Sequence, residues 1–292
     1  MNQAAVFINN TFVPATEAAL LVTDLATQRG YGIFDFFKTT NNIPVFLDDH
    51  LARFYNSAAQ MRLPLQQSPE QLKAIIHELI QRNQVPDAGI RISCTGGYPQ
   101  DGYSITTPNL VITQQPLAPL AADAFEKGLR LVSYNHQRQL PEIKTIDYLM
   151  AIWLQPFVKE QQADDLLYYR HGLITECPRA NIFMVTEDDI VVTPSRNILK
   201  GITRMHTLKV AGGLYQVEER DVTLEEFRAA KEAFISSTTK YILPVLQLDG
   251  KPISNGQPGA VTARLNEALR EYVGKHVGFS HPSGNELYPP VR

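Results

Sequence analysis

Cysteine is nearly missing: Cys94 and Cys177 stand far apart and outside any CxxC context in a chain of 292 residues. Two such thiols give no disulfide framework, and they suit a reducing compartment where sulfur stays free. The 7 histidines form no HExxH and no His/Cys cluster with zinc spacing, so no metal site is expected. No window approaches the ~20 consecutive apolar residues of a membrane span. The opening Met1–Phe7 has neither a basic run nor a long apolar stretch, and the expectation is a soluble, cytoplasmic protein. Neither sign of charge dominates: 27 Lys and Arg stand against 30 Asp and Glu, for a net −3, and the basic residues are scattered. Nucleic acid and anionic membrane therefore lack an electrostatic reason to bind. There is no internal repeat and no low-complexity tract.

What is present is a core. Hydrophobic residues make up 44% of the chain, and the length suits one large domain or two ordinary ones. Asp48-Asp49 precede Leu51, Phe54, Tyr55, Ala58 and Met61, which puts the apolar groups on one helical face with acidic residues at its start. Arg53 falls near the first turn. A second helix is expected over Pro69 to Asn83, with Leu72, Ile75, Ile76, Leu79 and Ile80 as its buried stripe. Strands are expected at Ile90 to Cys94 and Asn109 to Thr113, separated by a Gly-, Pro- and Tyr-rich turn region.

Pro116 to Lys127 reads as a linker. We therefore expect a small domain over residues 1–115, a linker over 116–127 and a larger domain over 128–292. The larger one begins with a strand at Leu129 to Tyr134 and continues to a helix after Lys144. Leu166 to Arg170, His171-Gly172 and Leu173 to Glu176 read as a hairpin that leaves Glu176 at a strand end. Another hairpin turns at Glu187-Asp188-Asp189, and a third at Asp249-Gly250. Thr223-x-x-Glu226 has the form of a capping box, with a strand following at Ala233 to Ser236. Gly259 to Gly274 reads as the last helix, and the Pro/Gly-rich His281 to Arg292 as a mobile tail. On its own this pattern gives α+β or α/β.

Four segments carry chemistry in order. Lys144 lies in Pro141-Glu142-Ile143-Lys144-Thr145-Ile146-Asp147-Tyr148, and Glu176 opens Glu176-Cys177-Pro178-Arg179-Ala180-Asn181-Ile182-Phe183. Leu199-Lys200-Gly201-Ile202-Thr203-Arg204 and Ser236-Ser237-Thr238-Thr239 follow. Pyridoxal phosphate needs an amine, an acidic partner for its ring nitrogen and donors for its phosphate. Lys144 would supply the amine and move the proton; Glu176 would keep the ring nitrogen protonated. Gly201-Ile202-Thr203 reads as a loop opening a helix, where free N–H groups suit a phosphate, with Ser237 and Thr238 as added donors. Taken singly, each has a plainer reading. Lys144 would be a solvated lysine, Glu176 a surface strand carboxylate, Arg53 an exposed helix charge, and Gly201 an ordinary helix start. Cys177 beside Glu176 reads as small filler.

In combination these segments resemble the fold type IV (class IV) pyridoxal-phosphate aminotransferases, from about Gly30 to about Asn266. The resemblance rests on the lysine, Glu-x4-Asn-x-Phe, Lys-Gly-Ile-Thr-Arg and the Ser/Thr cluster before Pro244. It implies a two-domain α/β fold, with a small N-terminal domain, a larger C-terminal pseudo-barrel domain and the cofactor between them. It also implies a homodimer with shared active sites. Carried over, Lys144 is the Schiff-base lysine and catalytic residue, and Glu176 partners the pyridine nitrogen. Ile202, Thr203 and Thr238 belong to the phosphate cup, and His50-x-x-Arg53 resembles the motif whose arginine contacts the phosphate.

On the substrate side, Arg29-Gly30-Tyr31-Gly32-Ile33-Phe34-Asp35 resembles the family's pocket-lining stretch, with Asp35 in place of the usual glutamate. Arg29 and Arg91 are the candidates for the substrate carboxylate, since bidentate pairing makes arginine its natural partner. The plainer reading pairs them across a subunit interface. Tyr31, Phe34, Phe36 and Tyr98 are expected as apolar walls, although an aromatic run such as Phe34 to Phe37 is more often core than pocket. Tyr148 is expected either against the cofactor or in core packing. The pattern lacks the Arg-x-His carboxylate trap and looks closest to D-amino acid aminotransferases with a different arginine pair. The expected reaction exchanges the amino group of a D-amino acid with a 2-oxo acid. Branched-chain L-amino acids, the elimination chemistry of aminodeoxychorismate lyases, and a non-catalytic cofactor-binding protein are the alternatives.

Overall fold

The computed structural model describes residues 4–278, so the expected tail after His281 lies outside the described residues. The chain divides into two compact units. Of the described residues, one unit holds those up to Leu117 together with Glu142–Tyr148; the other holds Ala118–Pro141 and those after Tyr148. Two sheets, one in each unit, and the helices around them make this a mixed α/β protein. Among the described residues no helix is long and apolar enough to cross a membrane.

In the first unit six strands, β1 (Ala5–Ile8), β2 (Thr11–Pro14), β3 (Gly32–Thr40), β4 (Ile43–Pro44), β5 (Ala88–Thr95) and β6 (Asn109–Pro116), form an antiparallel sheet in the order β2-β1-β6-β5-β3-β4. Helix α1 (Leu25–Arg29) is short; α2 (Leu47–Gln60) and α3 (Pro69–Asn83) cover the core. Helix α3 starts where the sequence places it, because Ser68 and Gln71 cap each other reciprocally and Pro69 fits the first turn. Alternation along β3 sends Ile33 and Phe37 into the core with Leu51 and Phe54 of α2, and Phe34 and Phe36 to the opposite face.

The segment Glu142–Tyr148 joins this unit through the backbone. Phe34 N–H donates to Lys144 C=O at 2.9 Å, Ile146 N–H donates to Gly32 C=O at 3.1 Å, and Ile33 bridges Thr145. Gly32 permits the approach: a Cβ there would lie 2.9 Å from Cys94 O and 3.1 Å from the Ile146 Cδ1 methyl. The lysine segment is thus seated on β3, whereas the sequence groups it with the chain on either side.

The second unit is built on ten strands: β7 (Leu129–Asn135), β8 (Asp165–Arg170), β9 (Leu173–Ile174), β10 (Glu176–Cys177), β11 (Ala180–Val185), β12 (Val191–Thr193), β13 (Val217–Glu219), β14 (Glu232–Ser237), β15 (Tyr241–Leu248) and β16 (Lys251–Pro252). Its main path runs β13-β12-β11-β14-β15-β7-β8-β9, with β10 on β11 and β16 on β15. Pairs β12–β13, β15–β7 and β7–β8 are parallel, the others antiparallel. The helices are α4 (Ala124–Lys127), α5 (Leu149–Trp153), α6 (Gln155–Glu160), α7 (Ile202–Ala211), α8 (Leu224–Arg228) and α9 (Ala260–His276). Helix α4 falls in the stretch read as linker, where Leu120, Ala124 and Phe125 pack on the core. The expected hairpin after β8 forms, but its second strand breaks at Thr175, so Glu176 begins a separate strand against β11. The capping box at α8 forms by half. Thr223 accepts from Glu226 N–H, while the Glu226 carboxylate is held by Arg220.

Candidate functional site

Lys144 is half-buried at the edge of β3, with its Nζ 4.5 Å from the Phe34 ring centroid. The Arg91 guanidinium carbon lies 3.8 Å from the same centroid, and the Tyr148 ring 5.8 Å from it at a tilt. Phe34, Arg91, Lys144 and Tyr148 are therefore brought together. Burial pushes the Arg91 guanidinium below its usual pKa, with a smaller opposing pull from Tyr148. Its Nε donates to Ser93 Oγ at 3.3 Å, and it has no carboxylate partner among the described residues. A half-buried guanidinium stacked on a ring and lacking an anion is equipped to take one.

Of the other expected substrate residues, Phe36 stands opposite Arg91 in the β3–β5 ladder, and the rest make contacts of their own. The Tyr31 hydroxyl donates to Met61 C=O at 2.6 Å, which ties the side chain to the end of α2; burial raises its pKa. Arg29 ends α1 fully exposed, with one long bond from Nη1 to Gln28 C=O at 3.5 Å. Phe36 lies over Gly89, and the Tyr98 hydroxyl faces Leu21 N–H at 3.4 Å.

Arg53 is not an exposed helix charge. Its side chain is 11% exposed, and its Nε and Nη2 donate to Asp35 Oδ2 at 2.9 Å and Oδ1 at 2.8 Å. His50 Nδ1 lies 2.7 Å from Asp35 Oδ1, and Phe36 N–H donates to the same oxygen at 2.7 Å. Burial alone would raise the Asp35 pKa; Arg53 and His50 reverse this and hold the carboxyl well below the usual range. His50 is pushed below its ordinary value by burial, which Asp35 only partly offsets. Strand alternation thus turns Asp35 toward α2, away from the face that carries Phe34.

In the second unit, Glu176, Asn181 and Ser236 sit opposite one another on β10, β11 and β14. Cross-strand partners share a face, so their side chains form a row. Glu176 is 4% exposed: Arg138 Nε donates to Oε1 at 2.7 Å and Leu199 N–H to Oε2 at 2.8 Å. These donors hold a buried carboxylate as a fixed, oriented negative charge. Arg138 Nη2 also donates to Pro141 C=O. Asn181 Nδ2 donates to Leu199 C=O at 2.7 Å, and a Cβ on Gly201 would fall 2.2 Å from Asn181 Oδ1. Only glycine lets the chain turn there into α7, whose first residues are Ile202 and Thr203. No side chain caps that helix start, so its leading N–H groups are available to an anion.

Two buried hydroxyls, Ser236 Oγ and Ser237 Oγ, have no hydrogen-bond partner among the described residues. Buried threonines elsewhere in this unit are satisfied: Thr193 bonds Ile182 C=O, Thr207 bonds Thr203 C=O and Thr262 bonds Glu232. A buried hydroxyl without a protein partner is satisfied by a ligand or an ordered water. Consecutive strand residues face opposite ways, so the two hydroxyls serve different sides of β14; one of them, with Thr238 in the turn after β14 and the open start of α7, fits a phosphate, and the Glu176 carboxylate fits a protonated ring nitrogen. Cys177 is fully buried and burial pushes its thiol well up, which suits filler. Sequence reasoning misses Arg138 and the Leu199 N–H. No short spacing marks them; each is joined to Glu176 only by the fold.

Residues 32–248 match the family described as amino-transferase class IV. The chain belongs to this family. It is a pyridoxal-phosphate-dependent aminotransferase. It is 31% identical to a D-alanine aminotransferase of Bacillus licheniformis, over 92% of this chain and 96% of that one. A D-alanine aminotransferase of Staphylococcus aureus (strain MW2) is 28% identical, over 93% and 98%. Among solved structures, a T.th. branched-chain amino acid aminotransferase with pyridoxamine 5'-phosphate superposes with a TM-score of 0.86 at 26% identity, over 93% of this chain and 94% of that one.

Proposed function

We propose that this aminotransferase moves the amino group between a D-amino acid, such as D-alanine or D-glutamate, and a 2-oxo acid, working as a cytoplasmic homodimer. The observation that carries the substrate side is Arg91. It is a half-buried guanidinium without a carboxylate, on the aromatic ring that also meets Lys144. The match to D-alanine aminotransferases over nearly the whole chain supports the D preference.

When bound, pyridoxal phosphate supplies an aldehyde for the amino group and a cationic ring that receives the electron pair released at Cα. Lys144 would hold the cofactor through its amine and would serve as the base that takes and returns the substrate's Cα proton. Glu176, oriented by Arg138 and Leu199 N–H, keeps the ring nitrogen protonated. The N–H groups of Ile202 and Thr203 and the hydroxyls of Ser237 and Thr238 hold the phosphate, with Arg53 as a further cation. Arg91 would take the substrate carboxylate and Phe34 would wall the side chain; Tyr31 and Arg29, whose hydrogen bonds are made to Met61 and Gln28, are the further substrate-binding residues of this reading. The exposed Leu149, Ile152 and Trp153 of α5 offer apolar surface to a second copy, which supports the homodimer.

A panel of D- and L-amino acids with 2-oxoglutarate and pyruvate tests this reading. We expect keto-acid-dependent turnover of D-alanine and D-glutamate, abolished in Lys144→Ala. Faster turnover of L-leucine or L-valine would move the assignment to the branched-chain activity named for the structural neighbours. Release of pyruvate from an aminodeoxychorismate substrate without any amino acceptor would replace it with a lyase.

A further inference from the structure

We propose that Phe34 is a positioning residue whose ring carries two cations, fixing the lysine that moves the proton against the guanidinium that binds the carboxylate. This rests on the roles of Lys144 and Arg91 given above. Both cations lie over one ring, at 4.5 Å for Lys144 Nζ and 3.8 Å for the Arg91 guanidinium carbon, so they are within about 8.5 Å of each other. At that separation like charges repel, and the negative face of an aromatic ring attracts each. An aliphatic side chain of equal bulk would fill the space without that attraction.

The backbone makes the ring a fixed reference. Phe34 is 5% exposed and sits inside the β3–β5 ladder opposite Ser93, the residue whose hydroxyl accepts from Arg91 Nε. Arg91 and Ser93 are two apart on β5, so both project on the Phe34 face. Phe34 also grips Lys144 a second time, since its N–H donates to the Lys144 carbonyl. One residue therefore sets both the backbone and the ammonium of Lys144, and through Ser93 and its own ring it sets Arg91. Tyr148 closes on the same ring and limits its rotation. In the sequence Phe34 reads as an apolar wall or as core; here its electronic character matters as well as its volume.

The test replaces Phe34 with mono-, tri- and pentafluorophenylalanine in the full-length holoenzyme, alongside Phe34→Leu and Phe34→Trp. Fluorine drains the ring face while almost preserving shape, so the series remains informative if Phe34→Leu misfolds. Two readouts are taken: the midpoint of the pH titration of the cofactor's visible band, and kcat and KM measured separately. A weaker face disfavours a cationic lysine nitrogen, so the midpoint should fall stepwise by about one pH unit in total. KM for the amino acid should rise about tenfold as Arg91 loosens. Phe34→Trp should retain the wild-type midpoint, and Phe34→Leu should resemble the pentafluoro variant. A midpoint unchanged across the series, with KM altered only by Leu, would reduce Phe34 to a packing residue. Borohydride reduction followed by peptide mapping separates the two assignments. Cofactor fixed on another lysine overturns the functional reading itself, whereas cofactor on Lys144 with a flat titration overturns only the role of Phe34.

Discussion

Asp35 and Glu176 are both buried carboxylates held by arginine, at 1% and 4% exposure, yet their partners come from different kinds of structure. Asp35 is bound by Arg53 and His50 of α2 and by the N–H of the next residue on β3. It staples a helix to a strand that packing already brings together. Glu176 is bound by Arg138, in the loop after β7, and by Leu199 N–H just ahead of α7. Those segments have no ladder to fix them, so this carboxylate sets the shape of two loops. The first charge serves the fold of its unit; the second arranges chain where regular hydrogen bonding ends.

The comparison breaks most sharply at Asp35→Asn. Removing the anion takes from buried Arg53 the carboxylate that accepts from its Nε and Nη2, and urea unfolding should show a loss of about 3–5 kcal/mol. A loss under about 1 kcal/mol would mean that packing alone holds α2 on β3. Glu176→Gln should instead reach function. It should lower kcat by about 10²–10³-fold in stopped-flow half-reactions while cofactor capture and the folded baseline persist.

Acid acts on the Asp35 cluster in two steps. His50 is held below its ordinary 6.5 in the folded protein, so the unfolded chain takes up this proton first and stability declines as pH falls below that value. Asp35 is held below its ordinary 3.8, so its contribution is present above that pH and is lost as pH drops toward the folded value. The slope should approach about 1.4 kcal/mol per pH unit for each proton. In Asp35→Asn the lower of the two declines should vanish. Gly201→Ala gives the smallest effect. The added methyl displaces Asn181 from Leu199 C=O and should weaken cofactor affinity about fivefold to tenfold, read by equilibrium dialysis.

Much of the architecture is legible because its signals are local. Helix α3 follows from Pro69 and its apolar stripe, and the turns at His171-Gly172 and Asp249-Gly250 follow from their residue types. What stays hidden is non-local. Arg138 reaches Glu176 across 38 residues from a loop without a motif, and nothing near Lys144 announces its attachment to β3. Asp35 shows a different failure. The sequence places it in a pocket-lining stretch, although a period of two already puts Phe34 and Asp35 on opposite faces of one strand. At α8, Arg220 competes for the Glu226 carboxylate and leaves the local capping motif half made.

The seating of Glu142–Tyr148 on β3 bears on how this protein can be dissected. A gene fragment ending at Leu117 would encode the six-stranded sheet without the seven residues that pair with Gly32, Ile33 and Phe34. The Phe34 N–H and Gly32 C=O would lose their acceptor and donor. Complementation with a synthetic peptide, or a permuted gene that splices 142–148 behind the fragment, would restore both bonds and bring the amine back with them.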